Sequence, residues 1–137
     1  MKKLVLAILV ILLLEPFAYS QNPEEVGKII QQILDLPDLQ RYYHPELKER
    51  IPIKILESDF FDKNLQLKKF EKDVRIISSD KIKEENIKDY LVFRKLVFKA
   101  EQVEFELNYL IEGIGSTGVL VKTKEGWVIQ NYSVWEN

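Results

Sequence analysis

From Val103 onward the chain alternates. Val103, Phe105, Leu107, Tyr109 and Ile111 are apolar, and Glu104, Glu106 and Asn108 between them are polar. A period of two over this length places one set of side chains on each face of a strand, one greasy and one wet. Leu110 alone falls out of phase. The run continues to Trp135 and reads as three long antiparallel strands joined by two turns. The first turn is assigned to Gly113, Gly115 and Gly118. The second is Lys124-Glu125-Gly126, where Gly126 supplies the left-handed backbone of a short hairpin. The alternation predicts Phe105, Leu107 and Tyr109 in the interior, with Val119, Val121, Trp127 and Ile129 on neighbouring strands. An apolar face this large must be covered, and the rest of the chain is read as its cover.

The cover begins at Asn22-Pro23-Glu24-Glu25, a helix start with a capping residue, a proline at the first turn and two carboxylates at the positive end of the dipole. Val26, Ile29, Ile30 and Ile33 then make one apolar stripe, and Pro37 ends the helix near Asp35. Leu39, Tyr42 and Tyr43 suggest a short helical turn stopped by His44-Pro45. Ile51 to Leu56 contains Pro52 and is expected to be an edge strand or an irregular extended piece. Ser58 to Asp73 follows neither period. Val74 to Ile77 and Tyr90 to Phe98 read as strands, with Asp80 to Lys88 as a turn or short helix between them. The fold class expected is α+β, an N-terminal helix packed on a curved antiparallel sheet of about five strands.

Residues 1–20 are set apart as a secretory signal. Lys2 and Lys3 precede an unbroken apolar run of 11 residues from Leu4 to Leu14, and Ala18-Tyr19-Ser20 presents small residues for cleavage before Gln21. The run falls well short of the roughly 20 residues that span a membrane. The expectation is therefore export to a bacterial periplasm or beyond, with no stable membrane insertion after cleavage and retention as an anchor as the minor alternative. Of 20 basic and 22 acidic residues, Lys2, Lys3 and Glu15 belong to the leader, which leaves residues 21–137 a single domain of net charge −3. Interleaved charges of that sign argue against a nucleic-acid partner. The absence of cysteine removes disulfides, thiolate metal sites and a lipid-modified cysteine.

Two stretches carry a family resemblance: Leu39-Gln40-Arg41-Tyr42-Tyr43-His44-Pro45-Glu46 after the first helix, and Gly126-Trp127-Val128-Ile129 opening the last strand. With the order helix, mixed segment and C-terminal meander, the chain resembles the nuclear transport factor 2-like and cystatin-like superfamily. More narrowly, it is similar to small exported proteins of Bacteroidetes-type bacteria. The resemblance implies a cone formed by helix and sheet, in which related enzymes hold a histidine or carboxylate. It also implies pairing of two copies through the outer sheet face.

The residues themselves ask for little chemistry. His44, the only histidine, falls in a loop, and Asp59, Asp62 and Asn64 lack the glycine and terminal glutamate of a calcium loop. No catalytic residue, metal ligand or cofactor motif is assigned, and phosphate loops and nucleophile elbows are missing. Most of the meander's aromatic rings should be core, while a surplus on the concave face would line a pocket for an apolar ligand. Tyr43, Phe93, Phe105, Tyr109 and Trp127 are the residues expected to line it. The functional expectation is a non-catalytic domain binding a small apolar ligand or a periplasmic protein, with a homodimer through the outer face. The alternative is a small acid–base enzyme of isomerase or dehydratase type using His44, Asp59 or Asp62.

Overall fold

The computed structural model describes residues 22–137. The leader expected at residues 1–20 and its cleavage point lie outside the described residues. The chain is α+β, an open six-stranded mixed sheet with few helices.

Helix α1 (Pro23–Leu34) starts as its sequence dictates: the Asn22 side-chain oxygen accepts the Glu24 backbone N–H at 2.9 Å. Its stripe of Val26, Ile29, Ile30, Ile33 and Leu34 is buried. A 3-10 turn at Pro37–Leu39 leads into the single helical turn α2 (Gln40–Tyr43), which stops where His44 takes a left-handed conformation (φ 51°). Strand β1 (Lys54–Leu56) follows, then a hairpin of two-residue strands, β2 (Lys68–Lys69) and β3 (Lys72–Asp73), then β4 (Arg75–Ile77). Helix α3 (Ser79–Glu84) precedes the long strands β5 (Leu91–Lys99), β6 (Gln102–Tyr109), β7 (Ile114–Thr123) and β8 (Gly126–Glu136).

The sheet order is β4-β1-β5-β6-β7-β8, antiparallel from β5 to β8 and parallel where β1 meets β4 and β5. This corrects the expected five-stranded antiparallel sheet. The segment around Pro52 is no edge: Pro52 lies outside the strand, and β1 is inserted between two neighbours. A strand of three residues is too short to display alternation, and parallel partners distant in sequence leave no local signature.

In β6, Val103, Phe105, Leu107 and Tyr109 are buried and the polar residues between them are only partly covered, as the alternation requires. The pattern ends at Tyr109. Leu110–Glu112 forms a 3-10 turn, so Ile111 leaves the strand and is exposed together with Leu110. Gly113 (φ 64°) closes that turn, whereas Gly115 and Gly118, expected in it, lie inside β7. They are needed there for space. A β-carbon at Gly118 would sit 2.6 Å from the Phe105 ring and 2.7 Å from the Asn131 carbonyl oxygen, and one at Gly115 would enter the Trp135 indole. Phe105 is the direct partner of Gly118 across the β6–β7 ladder, and Trp135 that of Gly115 across β7–β8.

Register also corrects the interior of β7. Val103 pairs with Leu120 and Glu104 with Val119, so Leu120 is buried while Val119 and Val121 share the outer face with Glu104. An irregularity between Val119 and Leu120 shifts the pairing with β8, so Ile129 pairs with Leu120 and Tyr132 with Gly118.

Gly118→Ala should destabilise the protein by about 1–3 kcal/mol, the usual range for overpacking a filled site. Urea unfolding followed by circular dichroism should show a lower midpoint at unchanged slope; a midpoint equal to the parent's would mean that the ring and the β7 backbone do not need this clearance.

Candidate functional site

Four of the five residues expected to line a pocket are inside the protein, with Tyr43, Phe93, Phe105 and Tyr109 each at most 4% exposed. Tyr43 meets Phe70 edge-on at 5.8 Å and Tyr109 at a tilt at 6.1 Å, and Phe93 meets Phe61 edge-on at 5.8 Å. The Tyr43 hydroxyl donates to the Leu34 carbonyl at 2.8 Å, which ties α2 to the end of α1. Burial pushes its phenol far above the usual range. Tyr109 is pushed up by the same cause, opposed by Arg50, whose Nη1 donates to the hydroxyl at 3.5 Å. Trp127 is the exception, half-buried at the start of β8. Its carbonyl accepts from Gln32 at 2.7 Å, and its buried indole N–H has no partner among the described residues.

His44 does not face this interior. It sits at the surface between two carboxylates, with Nδ1 2.9 Å from Glu46 Oε1 and Nε2 in close contact with Glu112 Oε1. Arg50 Nη1 lies 3.7 Å from the same Glu112 oxygen. That oxygen is buried and has no aligned hydrogen bond, and the neighbouring Arg50 guanidinium compensates it by charge. Glu46 is held below the usual carboxylate range by its own backbone N–H first and by His44 second. Beside this cluster the Tyr42 hydroxyl donates to Glu136 at 2.7 Å and accepts from Arg41 at 2.8 Å. The acceptor carboxylate raises the Tyr42 phenol. Asp59 and Asp62 are both exposed, and Asp62 caps the Asn64 backbone N–H at 2.7 Å. The structure thus brings Tyr43 and Tyr109 together and puts His44 with Glu46, Glu112 and Arg50. It delivers neither aspartate to the interior.

A groove of about 600 Å³ runs between the end of α1 and β8, with Leu36, Pro37, Ile129 and Tyr132 as apolar lining, Gln32, Gln130 and Asn131 as amides and Asp35 as its one carboxylate. Beside it β8 is the last strand of the sheet, 11 residues with one edge that no neighbouring strand pairs among the described residues. No charged residue occurs from Gly126 to Trp135, in a chain that is 31% charged. The sequence signal for this surface was therefore present as a gap in the charge pattern, but the groove joins residues far apart in the chain.

The outer sheet face is different. Lys95 and Lys99 each reach Glu104 at 2.9 Å, and Arg94 donates to Asn108 at 2.9 Å. Lys95 and then Lys99 hold the Glu104 carboxyl at about 2. Among the described residues, no cluster of three or more acids, histidines or cysteines could hold a metal ion, and no helix is long and apolar enough to cross a membrane. No protein-family model, curated protein or solved structure matches the chain, so the superfamily resemblance gains no support from them.

A carboxyl depressed in the folded state stabilises the fold above its unfolded value, about 4.3, and that contribution is lost as pH falls through its folded value of about 2. Glu104→Gln should therefore flatten the fall in stability over this acid window and leave its shape near neutrality unchanged. Urea midpoints measured from pH 7 to pH 2 test this, and identical acid limbs for parent and variant would rule it out.

Proposed function

We propose that this chain is an exported, non-catalytic binding domain that takes up an extended stretch of a partner protein along the free edge of β8. The observation that carries this reading is the edge itself. A long edge strand exposes a row of unpaired backbone donors and acceptors, and proteins usually blunt such edges with lysine, proline or a covering segment. From Gly126 to Trp135 this one has neither charge nor proline. The adjoining groove offers apolar contacts to alternate side chains of an added strand, and the side-chain amides of Gln130 and Asn131 can serve the strand's backbone.

Burial of four of the five residues expected around a pocket supports recognition at the surface, with Tyr43 packed on Tyr109 and Phe93 on Phe61. His44 favours binding over acid–base catalysis. Both of its ring nitrogens face carboxylates, which leaves neither free to exchange a proton with a substrate. The nuclear transport factor 2-like resemblance belongs to the same proposal, with α1 against the inner sheet face as its support. Pairing of two copies through the outer face belongs to the proposal too, and it would bring the exposed Lys95 and Lys99 ion pairs with Glu104 against those of a second copy.

Titrating isotope-labelled protein with a capped, uncharged peptide of alternating valine and threonine should shift and protect β8 amides between Ile129 and Val134. Replacing alternate residues of the peptide by proline should weaken binding about tenfold or more, since each lost ladder hydrogen bond is worth about 1 kcal/mol. Equal binding of the proline peptide, or shifts confined to the outer face, would remove the strand-addition reading. For export, intact-mass analysis of the protein produced with residues 1–20 in a Gram-negative host should give a chain beginning at Gln21. A full-length mass would contradict cleavage.

A further inference from the structure

The sequence anomaly at Leu110 has a structural counterpart. Leu110 and Ile111 stand side by side in water, 48% and 39% exposed, on the 3-10 turn between β6 and β7. This turn cannot fold them under: Glu112, its third residue, is held by His44 and Arg50, and Gly113 fixes the exit in the left-handed region. The two side chains line a groove of about 620 Å³ together with Ile82 and Ile87, from α3 and the loop after it, and with Asn86 and Tyr90. The volume is in the range of small-molecule sites. Lys83 and Lys88 also line it, and no carboxylate does. Neither lysine forms an ion pair among the described residues. The nearby Glu85 is engaged instead by Arg75 at 3.3 Å.

A groove whose apolar side chains sit beside Asn86 and two lysines without an ion pair among the described residues, with no acid in its lining, suits a hydrocarbon tail ending in a negative head. We infer that this groove binds a single-chain anionic amphiphile of the fatty-acid type, its tail against Leu110, Ile111, Ile82 and Ile87 and its carboxylate between Lys83 and Lys88. Burying the tail removes the exposed apolar surface from water and supplies most of the affinity. The lysines select the charge. This site shares no lining residue with the groove beside β8, so either can fail without the other.

The test uses dodecanoate below its micelle concentration, with dodecanol as the neutral control, titrated into isotope-labelled protein. Dodecanoate should bind saturably, shift amides of residues 82–88 and 110–111, and bind about fivefold tighter than the alcohol, the size of one solvent-facing ion pair. Lys83→Glu with Lys88→Glu should erase that preference while the alcohol still binds, and Leu110→Asp should weaken both ligands. All three positions are exposed, and retained spectral dispersion shows that the variants fold. Absence of saturable binding, shifts elsewhere, or a charge preference that survives the double variant would overturn the inference. Sedimentation with phosphatidylglycerol vesicles is the further arm: binding to vesicles without binding of monomeric dodecanoate would overturn it in favour of a membrane-surface contact.

Discussion

Burial of one face of β6 is the constraint on which the other elements depend. Val103, Phe105, Leu107 and Tyr109 are removed from water together, each worth roughly 1.5–3 kcal/mol when fully covered. The apolar stripe of α1 belongs to the same continuous core. Because strand side chains alternate strictly, fixing this face on β6 fixes the phase of its neighbours through register, so Leu120 goes in and Val119 goes out. The glycines of β7 follow from it as well. The large rings on the adjacent strands lie across the β7 backbone, and only a residue without a side chain leaves them room.

The aromatic residues expected around a pocket are, apart from Trp127, buried in the core. Tyr43 packs against Phe70 and Tyr109, and Phe93 against Phe61, while the edge of β8, the turn after β6 and the grooves beside them stay at the surface. The polar cluster of His44, Glu112 and Arg50 serves this arrangement by bracing the β6–β7 turn against the loop that follows α2. On the other side of the molecule, charge is spent on pairing within the sheet surface, where solvent screens it and its net contribution is small. Lys54 is different: it is buried, and its ammonium bridges Asp89 at 2.7 Å and the Glu49 carbonyl at 3.2 Å, so β1 is tied to both segments at the parallel side of the sheet.

Legibility tracked the range of the interactions. The capped start of α1, the stop near Asp35, the strands at Leu91–Lys99 and Gln102–Tyr109 and the hairpin at Gly126 rest on neighbours within a few residues, and local patterns record such neighbours directly. The stretch from Ser58 to Asp73 was opaque for the opposite reason. Its small hairpin turns through Phe70 and Glu71, both at positive φ, and no glycine or asparagine marks the turn; Phe70 packs edge-on against Tyr43 instead.

The sequence by itself determined the α+β class, the amphipathic first helix and which face of β6 is greasy, because backbone propensity and side-chain period are local properties. Only the tertiary structure decided that β1 lies between β4 and β5, that Gly115 and Gly118 serve packing and not a turn, and that Val119 faces out. It alone brought Leu110 and Ile111 into one groove with Ile82 and Ile87, and Leu36 into another with Ile129. Each of these depends on register or on contact between segments far apart in the chain, and a one-dimensional pattern carries no distance between such segments.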